Sequence, residues 1–291
     1  MASSYSGSDR KDGRLLRTVG LFSKLLPHFV RTRTEATDVY DDSFDISRAD
    51  RWLKAQDAGE YDGIGLMHLF ISAYVRTVAA HPDVNRFVIG KRLYAKNEIE
   101  VAIPIKCGHG YDKENSVIKV PFETSDTVYD VYRRITSAIA ADKNTANGND
   151  TDVLGRRFAK CSRFLRRLVS LIIRILDFFD ILPVRLKKAS PFHASMMIND
   201  LSGLGVGPVA HHLFNVGTLP LIISVGSRRT AYEFDGKDSV IGRRYVDATL
   251  SFDSRISDAE GFAAAFKTFK KYVESPSLME MPPEIAVDDV R

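Results

Sequence analysis

The sequence predicts an α/β fold in which strands and helices are interspersed. Three observations carry this. Segments in which apolar and polar residues alternate, such as Ile99, Val101, Ile103 and Ile105 set between Glu98, Glu100, Ala102 and Pro104, read as strands with one buried face. Other segments repeat their apolar residues every three or four positions, as at 63–80 and 126–141, the spacing of amphipathic helices. The two kinds are interspersed along 291 residues, a length that fits one large domain or two small ones with a substantial core.

Taken in order, residues 1–13 (MASSYSGSDRKDG) are small and polar and are expected to form a disordered arm. From Leu15 the apolar positions Leu15, Val19, Phe22, Leu25, Leu26 and Phe29 recur at helical spacing, with Pro27 expected to end the helix. Residues 29–46, rich in Thr, Val and Tyr, read as an extended strand pair. Ser47 with Asp50 three residues on is a capping arrangement that opens a helix. The helix at 63–80 buries Leu66, Phe70, Ile71, Tyr74, Val75 and Val78 and stops at His81-Pro82. Short strands follow at 87–89, 92–95, 98–105 and 117–122, then the helix at 126–141 and a polar loop at 143–153.

Between Arg163 and Asp180, the polar residues Arg163, Arg166, Arg167, Ser170, Arg174 and Asp177 make one narrow stripe on an otherwise apolar helix. Two readings stand. The helix is buried in the protein or in an oligomer contact, or it is a basic amphipathic helix on a membrane surface, helped by Arg156, Arg157, Lys187 and Lys188. Residues 191–206 read as a strand entering a Gly-rich turn. A loop with His211 and His212 follows, then a strand at 219–225, a hairpin over 226–248 and a strand at 249–253. Phe262, Phe266, Phe269 and Tyr272 give the last helix its buried side, Pro276 closes it, and 286–291 form a tail.

Composition narrows the classes. Hydrophobic residues make up 44% and charged residues 27%, ordinary for a globular protein. Forty-one basic against 37 acidic residues, a net +4, argue against a dedicated nucleic-acid binder. Cys107 and Cys161 have neither metal spacing nor a disulfide framework, which fits a reduced, cytoplasmic compartment. No apolar run resembles a signal peptide or reaches 18 residues, so a cytoplasmic location is expected. Gly203-Leu204-Gly205-Val206-Gly207 lacks the G-x-G-x-x-G frame, and no set of His and carboxylates has metal-ligand spacing.

The most specific stretch is TLSFDSRISDAEG at 249–261, an alternating strand, a tight polar turn and the start of a helix. It resembles the CoA-dependent acyltransferase cores, the catalytic domain of 2-oxoacid dehydrogenase complexes and chloramphenicol acetyltransferase, where the strand ends in D-H-R-x-x-D-G. Further resemblance lies in HPDVN (81–85), RLYAKNEIEVAIP (92–104), SDTVYDV (125–131) and Ile198-Asn199-Asp200-Leu201, on the family's I-S-N-L. It covers roughly 28–142 and 190–275, so a single domain over 14–285 is expected, with 155–183 as an inserted amphipathic helix.

The resemblance implies a two-layer α/β sandwich, a mixed β-sheet with helices on one face, in a chloramphenicol acetyltransferase-like homotrimer with active-site channels between subunits, and coenzyme A or acyl-CoA as substrate. In that family the His deprotonates a thiol that then attacks a thioester. Here Ser254 stands in its place, and a hydroxyl is too weak a base for that step. The implied function is therefore a CoA-dependent acyltransferase-like protein with activity reduced, rearranged or lost; the alternative is a noncatalytic trimeric scaffold or CoA-sensing module. Asp258 falls on the family's loop-holding Asp, with Arg33 implied as its structural partner, and Ala259 replaces the Gly. Asn199 takes the place of the Ser that donates to the oxyanion; its amide can also donate, or it is a turn-forming residue. His211 or His212 is a candidate replacement base, though paired His in a loop also serve as structural hydrogen-bonders. Complete enzymes of this kind carry lipoyl and subunit-binding domains. None precedes residue 14, so a freestanding core without a covalent lipoyl site is expected, served by a lipoyl-bearing or complex-forming partner.

Overall fold

The computed structural model describes residues 9–56, 59–107, 114–143, 153, 155, 158–234, 236 and 239–290. The chain runs β1 (Gly13–Leu15), α1 (Leu21–Phe29), β2 (Thr37–Asp45), α2 (Ser47–Gln56), α3 (Leu66–Ala80), β3 (Arg86–Ile89), β4 (Arg92–Lys96), β5 (Ile99–Cys107), β6 (Glu114–Phe122) and α4 (Val128–Lys143). It continues with α5 (Arg163–Phe178), α6 (Val184–Ala189), β7 (Met196–Asp200), β8 (Leu221–Phe234), β9 (Val240–Asp253) and α7 (Ala259–Glu274). A six-stranded sheet has the order β2-β9-β8-β7-β5-β6, and a small one has the order β1-β4-β3. β7 pairs parallel with β5 and β8 while the other ladders are antiparallel, so the sheet is mixed, as predicted.

Alternation along the strands decides what each face meets. Val101, Ile103, Ile198, Ile223 and Leu250 point into the main core with α2, α3, α4 and α7. Their neighbours Ala102 and Ile222 point the other way, against Leu213 and Leu219 of the long loop between β7 and β8. One face therefore carries helices and the other a crossing loop.

Several local expectations change. Arg10 is buried and paired with Asp12 and Asp177, so residues 9–12 are not a free arm; residues 1–8 lie outside the described residues, as do 144–152 of the polar loop. The first helix begins at Leu21, not Leu15, because Gly13–Leu15 pair with β4, and it carries Pro27 inside it. Residues 29–46 hold one strand, not two, paired along its length with β9. Ser47 does not cap α2: its amide is capped by Asp45 Oδ1 (2.9 Å) and its hydroxyl accepts from Arg244 N. The capping box stands instead at α4, where Thr127 and Asp130 exchange bonds to each other's amides (2.9 and 3.2 Å).

A helix stands within 155–183 as α5, at Arg163–Phe178, but the chain does not bury it. Phe164 is 78% exposed, Leu171 54% and Phe178 54%. Its end is held by a buried charge cluster. Arg10 donates to the Asp177 carboxylate (2.9 Å) and carbonyl (2.7 Å), and His193 Nε2 lies 3.3 Å from the same carboxylate. Lys187 pairs with Asp12 (3.1 Å) and Asp180. Burial alone would raise the Asp12 carboxyl, but Arg10, Lys187 and Lys96 together outweigh it and bring the pKa down to about 2. Lys187 is thus an internal pin and not a membrane-facing charge; Arg156 and Arg157 lie outside the described residues.

Candidate active site

β9 ends at Asp253, which is fully buried. Arg255 grips it in a bidentate pair, Nε to Oδ1 at 2.8 Å and Nη2 to Oδ2 at 2.7 Å. Arg33 approaches the same carboxylate at 3.6 Å and donates to the carbonyls of Phe214 and Gly217, both at 2.8 Å. Gly217 sits at φ +74° with Phe192 packed where a side chain would begin, so this corner admits only glycine. The expected Arg33–Asp258 pair does not form. Asp258 is exposed and caps α7, its Oδ1 accepting from Gly261 N at 2.8 Å. The physical reason is that first-turn amides lack helical partners, while a buried guanidinium needs a buried carboxylate, and Asp253 supplies it. Ala259 opens the helix and is not among the residues with positive φ, so its side chain costs the turn nothing.

Ser254, half-buried, uses its hydroxyl and its amide on one acceptor, the Ala36 carbonyl, at 3.0 and 2.9 Å. It ties the end of β9 to the start of β2. Beside it lies a groove of about 610 Å³ between α1 and α7, walled by Phe22, Tyr40, Phe262 and Phe266, with Lys267 among its lining residues.

The second group of candidates lies elsewhere. Asn199, near the end of β7, has its Nδ2 2.9 Å from His211 Nε2. His211 reaches this position because its loop crosses the sheet on hydroxyls from three strands. Val209 N donates to Ser224 Oγ (3.0 Å), His211 N to Ser251 Oγ (3.1 Å) and Leu213 N to Thr37 Oγ1 (3.3 Å). These three rungs, one on each of β8, β9 and β2, went unmarked in the sequence; a Ser framed by apolar residues, as in Leu221–Val225, was the available signal. Partial burial lowers the His211 pKa, keeping the ring neutral near pH 7. His212 is exposed beside it and joins neither group.

The register measures the separation. Asn199 pairs with Ser224 and Ser224 with Thr249, and Ser254 lies five residues beyond Thr249. Two strand spacings and five strand residues put Asn199 and Ser254 roughly 20 Å apart. Asn199 faces the loop side of the sheet, next to Ile198 in the core, whereas the groove at Ser254 is walled by α7. Within one chain the candidates form two sites, not one. Among the described residues, no three His, Cys, Asp or Glu converge as metal ligands.

No family model matches this sequence, and no curated protein matches it. Solved structures do. A probable dihydrolipoamide acetyltransferase from Listeria monocytogenes superposes with a TM-score of 0.56 at 15% identity, covering 93% of this chain and 97% of that one. The Azotobacter vinelandii dihydrolipoamide acetyltransferase, studied for the roles of a serine, a histidine and an asparagine in its mechanism, gives 0.53 at 14% identity, over 91% and 93%. A chloramphenicol acetyltransferase gives 0.53 at 11%, over 91% of this chain and 99% of the other. The chain has the fold of the 2-oxoacid dehydrogenase acyltransferase cores and of chloramphenicol acetyltransferase.

Proposed function

We propose that this chain is a CoA-thioester-dependent acyltransferase whose base has moved from the end of β9 to His211, assembled between subunits of a homotrimer. The observation that carries the reading is the Asn199–His211 contact at 2.9 Å, which joins the two polar candidates nearest the family's oxyanion position. With the Asn199 amide turned so that Oδ1 accepts from Nε2–H, two consequences follow together. Nδ1 holds the ring's lone pair and can take a proton from an acceptor thiol, and Asn199 Nδ2 is free to donate to an oxyanion. The thiolate then attacks the thioester carbonyl, the carbon–sulfur bond breaks, and the departing sulfur takes the proton back from His211. The groove beside Ser254, walled by aromatic rings, suits the pantetheine arm of CoA, and a neighbouring subunit would close the roughly 20 Å between the two groups.

The second reading, a noncatalytic CoA-binding scaffold, is favoured by the Ser254 hydroxyl, which is committed to the Ala36 carbonyl. Calorimetric titration with CoA and acetyl-CoA, followed by acetyl-transfer rates, separates the two. The catalytic reading expects His211→Ala to lower kcat by about 10²- to 10⁴-fold with acetyl-CoA binding retained, and wild-type kcat to fall as acid protonates His211. Equal rates in wild type and His211→Ala would sink the relocated base. Saturable binding without turnover would favour the scaffold, and a monomer in solution would remove the intersubunit site.

A further inference from the structure

The exposed side of α5 is the largest feature that the acyl-transfer reading leaves unused. At about 100° per residue, Arg163, Arg166, Arg167 and Arg174 fall within one stripe about 100° wide. None of the four forms an ion pair among the described residues. Next to the stripe, on the side away from the body, lie Phe164, Leu168, Leu171, Ile172 and Ile175, each between 41% and 78% exposed. Val169, Ile173, Leu176 and Asp177 face the body instead, and Asp177 is the only buried residue of the helix. The same chemistry continues past the helix: Phe179, Ile181 and Val184 are exposed, with Arg185 and Lys188 exposed beside them.

We propose that α5 docks flat on an anionic lipid surface, its apolar side chains entering the acyl boundary and its arginines meeting lipid phosphates. The charge pattern selects this occupant. Pairing the apolar faces of two copies would cover the apolar side chains but leave both arginine stripes without acidic partners on the helix. The only acidic residue of α5, Asp177, is already taken by Arg10 and so cannot neutralise them. A bilayer of anionic lipids offers both an apolar layer and a plane of phosphates. No described helix is long and apolar enough to cross a membrane. The Arg10–Asp177 pin fixes the end of α5 to the body, so the helix is presented rigidly and its docking does not depend on acyl transfer.

The test is flotation of the full chain with phosphatidylcholine vesicles, with and without phosphatidylglycerol. The expected result is flotation only with phosphatidylglycerol, weakened by added salt. Arg166→Glu/Arg167→Glu and Leu171→Asp/Ile175→Asp should each lower the partition coefficient about tenfold or more. All four side chains are exposed, so both variants should keep the wild-type circular dichroism and melting temperature, which are recorded alongside. Protein that stays at the bottom with anionic vesicles overturns the proposal. So does equal binding to neutral vesicles, or binding that survives Arg166→Glu/Arg167→Glu. A dimer in light scattering that Leu171→Asp/Ile175→Asp dissolves, with no flotation, would assign the face to a second copy.

Discussion

Helices α3 and α5 are nearly equal in length, 15 and 16 residues, and both are predominantly apolar, yet the fold treats them oppositely. Thirteen residues of α3 are buried, including Arg76 and His68, because the helix packs on the sheet between α4 and α7. One residue of α5 is buried, and it is a carboxylate. Apolar composition therefore says that a surface needs cover, not what covers it. α3 is covered by its own chain, and α5 carries arginines at the margin where its cover must be polar or anionic.

Truncations in the two helices test this contrast, read by urea denaturation. Phe70→Ala in α3 removes a ring packed edge-on against Phe44 (5.3 Å) and Phe269 (5.7 Å). It should cost about 3–5 kcal/mol, the range for an aromatic lost from a close-packed core. If it costs no more than a surface change, the assignment of α3 to the core fails. The same contrast applies to two carboxylates in the Ser254 loop. Asp253→Ala strands buried Arg255 and Arg33 and should cost about 3–5 kcal/mol. Asp258→Ala removes only a helix cap and should cost about 1 kcal/mol. A reversed order would restore Asp258 as the buried partner.

Acid supplies the next effect. Burial outweighs the attraction of Asp200 and lowers His68 from 6.5 to about 4, and Gly65 N donates to its Nδ1. A depressed histidine favours the neutral folded form, so its contribution is complete above pH 6.5 and is lost as pH falls toward 4. By linkage the loss is about 3 kcal/mol, and a His68→Asn variant should flatten that part of the stability-versus-pH curve. Smallest is Ile172→Ala on the exposed side of α5, expected within about 0.5 kcal/mol in the absence of lipid. A cost of several kcal/mol would mean that this face is already covered in solution.

Much of the architecture was legible because it rests on local patterns. Alternation in 98–105 and 219–225 marked strands, helical spacing in 63–80 marked α3, and both read the same in any tertiary context. The strand-turn-helix at 249–261 was legible too, down to a polar turn after Asp253. Partners were not. Arg33 chose Asp253 over Asp258, since which carboxylate is buried depends on where strand ends meet. Nor could spacing reveal that Asn199 and His211 touch, because that contact depends on three hydroxyl rungs from three strands.

What the sequence alone determined is the period of each element and the replacement of a histidine by Ser254, because periodicity and identity are local properties. The tertiary structure set the separation of roughly 20 Å between Ser254 and Asn199, the burial of Arg10 and the outward face of α5. Each of these is a relation between distant segments, set by strand register and by which buried charge finds a partner.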